Sequence, residues 1–232
     1  MVNRINSESS ESAPLVVVGS VAFDNVITPH GSKDGILGGA ASYCSFAASY
    51  FTEPRMVGVI GNDFGDEYLS RLKNRGIDLE GLQRDDTGPT FFWKGKYHEN
   101  FNKRDTLDIQ LNVFENFRPD LPDNYLDSKF VLLGNIHPSL QMHVLDQLHG
   151  DSFVVADTID LWIETERNAL LELIKRVSLF VINDSEAEEL TGESNIILAG
   201  TKLRTMGPQS VIIKKGEHGA MLFHEEGNFA LP

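Results

Sequence analysis

The sequence predicts an α/β fold: a doubly wound, mainly parallel β-sheet with a small inserted β-sheet lid. Short segments that are apolar throughout are typical of strands buried on both faces of a parallel sheet. Five such segments lie at residues 15–18, 130–133, 153–156, 179–182 and 211–213. Between the later segments, apolar residues recur at helical spacing around Val144 and Leu170. The spacing of these segments is close to the roughly 30 residues of a strand–helix–strand unit, which places successive strands in parallel.

Length and composition predict one main domain. The chain has 232 residues, of which 41% are hydrophobic and 23% are charged, and this is enough for one sizeable core. Residues 1–14 are polar and acidic and are expected to form a flexible arm. The α/β domain is then expected to span residues 15–232.

Charge and cysteine content limit the kinds of partner and the cellular location that the sequence predicts. A formal net charge of -14 disfavours a nucleic-acid partner, because phosphate backbones need a basic face. The apolar runs are far shorter than the roughly 20 residues that span a bilayer, so no membrane partner is expected. Cys44 is the only cysteine, which rules out an intrachain disulfide and predicts a cytoplasmic location.

Glycine and capping patterns predict the elements that follow the first strand. A helix is expected to begin directly after Gly38-Gly39 and to turn its small residues and Phe51 toward the sheet. Asp63 is expected to be the N-cap of the next helix, which ends near Gly76.

A lid insertion is predicted at about residues 88–116. The segment 90–97 is aromatic and strand-like, and Leu107, Ile109, Leu111 and Val113 alternate strictly with polar residues. An alternation with period two indicates a half-exposed strand with one apolar face. The two segments are expected to pair in a small sheet that stands off the main one, and the apolar face is expected to find cover.

Several familiar nucleotide and metal sites are absent from the sequence. There is no G-x-x-x-x-G-K-[ST] loop, and the turn after the first strand, residues 19–22, lacks the G-x-G-x-x-G pattern of dinucleotide-binding enzymes. The histidines include no H-E-x-x-H motif, which disfavours a zinc hydrolase. Polar residues do follow the predicted strands, where open α/β sheets bind ligands, although such residues also end strands for ordinary turn reasons.

Three motifs carry a resemblance to a known family. They are Gly38-Gly39-Ala40-Ala41, the segment 57–65 with its Gly58, Gly61 and Gly65, and Asn183-Asp184-Ser185-Glu186. In order and spacing they resemble the ribokinase-like, or PfkB, family of carbohydrate kinases, and the lid insertion resembles that family's substrate lid. The resemblance implies an enzyme that uses ATP and Mg²⁺ to phosphorylate a hydroxymethyl group of a sugar or sugar-like substrate. It also implies a possible homodimer formed through the lid.

The resemblance places the acceptor substrate near the start of the domain. Asp24 resembles the early family aspartate that holds sugar hydroxyls, and a carboxylate can accept two such hydrogen bonds; the alternative is an exposed loop aspartate. Gly38 and Gly39 would let the backbone approach the ligand at a helix N-terminus with free N–H groups. Tyr43 stands where the family usually has Asn and can stack on a ring, so a nucleoside kinase stays open as an alternative. Phe92 and Trp93 would help the lid to exclude water.

The resemblance places the nucleotide near the later strands. Asn183 and Glu186 resemble the motif that organises magnesium and the nucleotide phosphates, with Glu186 as the metal ligand. The alternative is structural, because the same two residues would form a capping box at a helix N-terminus. Lys214 and Gly216 resemble the strand and turn beside the ATP site, and the alternative for Lys214 is a solvated basic residue that ends a strand.

The family's glycine-rich G-A-G-D segment has no counterpart before Pro232. In family members this segment forms an anion hole, and its Asp accepts the proton of the attacking hydroxyl. The resemblance therefore implies that the catalytic base lies outside these 232 residues and that this chain alone is inactive. A truncated or non-catalytic relative that binds a sugar or a nucleotide is the competing interpretation.

Overall fold

The computed structural model describes residues 13–232 and contains a nine-stranded sheet and a four-stranded sheet. The large sheet has the order β13-β12-β11-β10-β9-β8-β1-β4-β5. Its strands are β1 Leu15–Val18, β4 Pro54–Ile60, β5 Leu82–Arg84, β8 Phe130–Leu133, β9 Phe153–Asp157, β10 Leu179–Asn183, β11 Ser210–Lys214, β12 Ala220–His224 and β13 Gly227–Leu231. Neighbours from β5 through to β11 pair in parallel, whereas β12 and β13 add an antiparallel edge. The five apolar segments are thus confirmed as parallel strands.

Helices cover both faces of the large sheet. They are α1 Ala40–Ala48, α2 Asp66–Lys73, α3 Pro138–Gln147, α4 Asp160–Thr165, α5 Arg167–Ile174, α6 Asp184–Thr191 and α7 Ile196–Thr205. Strand β4 shows the two faces directly, because Met56 and Ile60 belong to one hydrophobic cluster while Val57 and Val59 belong to the other. The sheet is therefore doubly wound, as predicted. Among residues 13–232, no helix is both long enough and apolar enough to cross a bilayer.

The four-stranded sheet is the predicted lid with two additional strands. Its order is β3-β2-β6-β7, with the strands β2 Ala22–Thr28, β3 Gly31–Gly38, β6 Phe91–Tyr97 and β7 Arg104–Gln110. The antiparallel pairing of β6 with β7 confirms the expected lid strands. Sequence analysis missed β2 and β3, which form a hairpin, and β2 pairs in parallel with β6.

The expected face of α1 was wrong in part, and the expected N-cap of α2 was wrong. Helix α1 buries one of the predicted small residues, Ala41, but it also buries Ser42 and Ser45, while Ala47 is exposed and Phe51 lies beyond the helix with 84% of its surface exposed. Asp63 does not cap α2, whose N-cap is Gly65.

The Asp63 carboxylate instead binds Thr90, the residue just before strand β6 of the lid. Its Oδ1 accepts hydrogen bonds from the Thr90 backbone N at 2.7 Å and from the Thr90 Oγ1 at 2.6 Å. Of the alternating apolar face, only Val113 is covered within the single chain described, whereas Leu107, Ile109 and Leu111 are 51%, 54% and 41% exposed.

Candidate active site

Asp24 and Gly38 meet across the β2–β3 hairpin. Ala22 pairs with Gly38, and Asp24 pairs with Ile36. A side chain at Gly38 would run into the Asp24 carboxyl group, so glycine is what makes room for this carboxylate. Burial raises the pKa of Asp24 to about 6. Asp24 is therefore a strand residue in a partly desolvated position, not the loop residue considered as an alternative.

Gly39 leads from the lid into α1 with a positive φ of 90°. A side chain there would be strained and would meet the Ser20 carbonyl oxygen. Ser20 also caps the helix: its Oγ accepts from the Ala40 N–H at 3.1 Å and its carbonyl oxygen from the Ala41 N–H at 2.9 Å. The expectation of free N–H groups is thus wrong for these two amides. Sequence analysis missed Ser20, although a polar residue soon after a buried strand could have pointed to it.

Aromatic side chains stand beside Asp24. Trp93 is opposite Asp24 in the β2–β6 register, so the two side chains share a face of the lid. The indole lies over Gly95, and its ring meets the Tyr97 ring edge-on at 6.5 Å. The pKa of Tyr43 on α1 is raised by burial and then by the charges of Asp24 and Tyr97. Trp93 and Tyr97 therefore form an aromatic group on the Asp24 face of the lid, and Tyr43 lies near enough to Asp24 and Tyr97 for their charges to raise its pKa.

Phe92 is separated from this group. It pairs with Phe23 in the register of β2 and β6, and thus lies on the opposite face of the lid from Asp24 and Trp93. There it lines a cavity of about 220 Å³ together with Phe23, Asp63 and Asn112. Of the two lid aromatics expected to exclude water, Trp93 therefore shares a face of the lid with Asp24, and Phe92 does not.

Asn183 and Glu186 form a reciprocal capping box at the start of α6. The Asn183 Oδ1 accepts from the Glu186 N–H at 2.8 Å, and the Glu186 Oε2 accepts from the Asn183 N–H at 2.9 Å. This confirms the structural alternative for the pair. Glu186 is only 8% exposed, and burial raises its pKa to about 7.

Charged residues at the ends of β9 and β11 and at the start of α4 influence Glu186. The Lys214 Nζ at the end of β11 lies 3.1 Å from the Asp157 Oδ1 at the end of β9. Lys214 lowers the pKa of Glu186, and Asp157 and Asp160 raise it, although burial and the Asn183 N–H contribute more. No role was predicted for Asp157 and Asp160 from the sequence; Asp157 ends a buried strand and Asp160 lies three residues further on, and that position was the available signal.

Gly216 begins a short turn after β11, at residues 216–218, with a positive φ of 55°. A side chain there would meet the side-chain amide of Asn102 from the lid. The space at Gly216 is therefore filled by the lid.

The two groups of residues meet at α1. Cys44 follows Tyr43, and its thiol pKa is raised by burial and by Asp157 and lowered by Lys214. The charge of Asp24 thus influences Tyr43, and the charges of Asp157 and Lys214 influence the next residue of the same helix.

Comparisons with known proteins agree with this geometry. The family model described as pfkB family carbohydrate kinase matches residues 15–232. The chain belongs to this family. A cytidine kinase of Thermococcus kodakarensis is 30% identical over 220 residues, which are 93% of this pfkB-family chain and 77% of the relative.

Solved structures of a nucleoside kinase and a ribokinase share the fold. The nucleoside kinase of Methanocaldococcus jannaschii, an archaeal member of the ribokinase family, has a TM-score of 0.74 at 16% identity, over 96% of this chain and 77% of that one. The ribokinase of Arabidopsis thaliana, solved with ribose and ATP, has a TM-score of 0.74 at 20% identity, over 94% and 77%. The ribokinase-like fold predicted from the sequence is therefore confirmed.

Proposed function

We propose that this pfkB-family kinase binds a nucleoside as its phosphoryl acceptor and directs the hydroxymethyl group of the ribose toward ATP and Mg²⁺. The observation that carries this proposal is the position of Asp24 beside Trp93, Tyr97 and Tyr43. A carboxylate accepts hydrogen bonds from two sugar hydroxyls, and aromatic faces stack on a base. The 30% identity to a cytidine kinase supports the same substrate class.

A free sugar is the second candidate acceptor. The Asp24 carboxylate beside Gly38 could accept hydrogen bonds from any pair of neighbouring hydroxyl groups, whether the sugar is free or part of a nucleoside. The aromatic group separates the two candidates, since a free pentose lacks the planar surface that such side chains bind best.

The ends of β9 and β11, with Asp157 and Lys214, and the first turn of α6, with Glu186, fit a hydrated cation with phosphates. The capping box occupies the Glu186 Oε2, so its Oε1 is the oxygen available to a cation or its waters. Within residues 13–232, no cluster of three or more His, Cys, Asp or Glu side chains forms a metal cage. Mg²⁺ needs none, since it keeps several waters and commonly uses one or two carboxylates with substrate phosphates.

This chain's residues would contribute mainly positioning and charge. ATP with Mg²⁺ would supply the phosphoryl group and neutralise its developing charge when bound. Asp24 would hold and orient the acceptor, and the lid would exclude water from it. The Lys214 ammonium lies at the end of β11, where it would attract the phosphates.

Calorimetric titration of the 232-residue chain tests the proposal with cytidine, inosine and ribose. We expect at least one nucleoside to bind more tightly than ribose, and Trp93→Leu to weaken the nucleoside about 2- to 12-fold, as expected for an aromatic pair, without changing ribose binding. Phe51→Leu is the matched control, because Phe51 is 84% exposed outside the site. If ribose and the nucleosides bind equally tightly and Trp93→Leu changes neither affinity, a free sugar is favoured as the acceptor.

We also propose that the kinase dimerises through its lid. Strand β7 lies at the edge of the small sheet and carries the exposed Leu107 and Ile109. Free strand edges with apolar side chains readily pair with another chain. A second copy of this chain would supply the missing cover.

A further inference from the structure

The tip of the lid touches the loop that follows β11. The Asn102 Nδ2 donates a hydrogen bond of 2.6 Å to the Glu217 Oε2, although the two residues are 115 positions apart in the sequence. Asn102 lies between β6 and β7 of the small sheet, and Glu217 lies between β11 and β12 of the large one. This bond therefore joins the two sheets.

The β11 loop is shaped to receive Asn102. Gly216 adopts a φ of 55°, and a side chain at this position would meet the Asn102 amide. The hydrogen bond from Asn102 is also the largest cause of a lowered Glu217 pKa, so Glu217 accepts the bond as a carboxylate. Charge-assisted bonds of this kind are stronger than neutral ones.

The lid tip holds Asn102 in a defined position. The Phe101 ring stacks on Tyr97 at 6.1 Å and on His30 of the β2–β3 turn at 6.3 Å. The Asn102 N–H donates to the Asn100 Oδ1 at 3.0 Å, and the His98 N–H donates to the Lys103 carbonyl at 3.1 Å. These stacking contacts and hydrogen bonds therefore fix the turn that carries Asn102.

We propose that the Asn102–Glu217 hydrogen bond docks the lid onto the β11 loop, so that closure of the lid over the acceptor also positions the loop beside the nucleotide phosphates. The substrate side of this inference rests on the function proposed above. Strand β6 carries Trp93 and Tyr97, and β11 ends at Lys214, so the bond connects the elements that would hold the two substrates. Asn102 and Glu217 are positioning residues, and their bond makes the binding of acceptor and nucleotide cooperative, because each ligand favours the same docked state.

Reversing the hydrogen bond tests the proposal. Asn102→Asp places two carboxylates together, whereas Asn102→Asp with Glu217→Gln restores a bond of the same size with donor and acceptor exchanged. Glu217→Gln alone is measured as a further control, because the His218 Nε2 lies 3.6 Å from the Glu217 Oε1. This variant shows how much of any change comes from losing the contact with His218. Asn100→Asp is the matched control, since it adds the same charge to the lid tip and keeps the oxygen that accepts from the Asn102 N–H.

The first measurement is amide hydrogen exchange of residues 98–103 without ligand. Exposed pairs contribute modestly, so we expect Asn102→Asp to speed exchange about 2- to 5-fold over Asn100→Asp and the reciprocal double variant to restore the wild-type rate. The second is the affinity for adenylyl imidodiphosphate with and without cytidine. Asn102→Asp should remove the enhancement by cytidine, and the double variant should recover it.

The two measurements separate failure of this inference from failure of the proposed function. The docking contact is overturned if the amides of residues 98–103 exchange no faster in Asn102→Asp than in Asn100→Asp. It is also overturned if the double variant does not restore their protection. If bound cytidine does not change the affinity of the wild type for the nucleotide analogue, the proposed cooperativity between acceptor and nucleotide is overturned. If neither ligand bound the wild type, the proposed function would fail, and exchange alone would support or overturn the docking contact.

Discussion

Replacing Asp24 by Asn should stabilise the protein and weaken acceptor binding at the same time. The Asp24 carboxyl is half-buried against Gly38, and burial raises its pKa from the usual 3.8 to about 6. The ionised form is therefore less favourable in the folded chain than in the unfolded chain. Asn has nearly the same shape and carries no charge, so it removes this cost.

The sign and size of the effect follow from linkage. Between pH 4 and 6 the folded state holds a proton that the unfolded state has lost, so the free energy of unfolding falls as pH rises through this window and stays lower above it. The full shift corresponds to about 3 kcal/mol. Solvent screening of a half-buried group reduces this value, and we expect Asp24→Asn to stabilise the chain by about 1–2 kcal/mol at pH 8. For a chain of this size that is an increase of about 2–8 °C in Tm.

Urea unfolding at several pH values between 4 and 8 measures the stability, and titration with a nucleoside measures the function. Loss of a hydrogen bond to a charged group should weaken acceptor binding about 10- to 150-fold. Asp34→Asn on the same hairpin is the control, because that side chain is exposed. A variant that is destabilised at pH 8, or whose stability difference from the wild type does not grow between pH 4 and 6, would refute the reasoning; unchanged affinity would place Asp24 outside the site.

Three further predictions follow from the site and the lid. Glu186→Gln should keep the capping box and the fold, because Gln can accept the same backbone N–H, yet raise the Mg²⁺ concentration needed for binding of a nucleotide analogue; an unaltered Mg²⁺ titration would leave Glu186 as a cap alone. Ile109→Lys should convert a dimer to a monomer in light scattering, and an identical mass for both proteins would exclude the lid interface. Gly39→Ala should lower the free energy of unfolding by about 1–3 kcal/mol more than Gly35→Ala, since both have positive φ but only Gly39 faces the Ser20 carbonyl; equal losses in thermal melts would contradict this.

The large sheet and the paired lid strands were predictable because their signals are local. Strands β8 to β11 are buried on both faces and so read as continuous apolar segments, with Phe180 and Ile182 fully buried in β10. The exposed alternation at Leu107 and Ile109 likewise marks a one-sided strand. Each of these patterns lies within a few residues of sequence.

The missed features depend on partners that are distant in the sequence. Strands β2 and β3 are mixed in polarity, and the pairing of β2 with β6 joins segments separated by β3, α1, β4, α2 and β5. Asp63 has the right spacing for a cap, but Thr90 supplies two donors to it instead. Phe92 and Trp93 are adjacent aromatic residues, and only the strand register determines which of them faces Asp24.

Glu186 shows why cap and site need not be alternatives. A capping box accepts Gln as readily as Glu, and Gln would avoid the desolvation that raises the pKa of Glu186 to about 7. A buried ionisable group whose charge is unfavourable in the folded chain alone is poorly explained by capping, whereas a nearby cation would stabilise that charge. The cap fixes Oε2 on the Asn183 N–H and thereby holds the carboxylate at the ends of β9 to β11. The structural bond therefore orients the group that the proposed magnesium site needs, and Glu186→Gln separates the two roles because it preserves only the first.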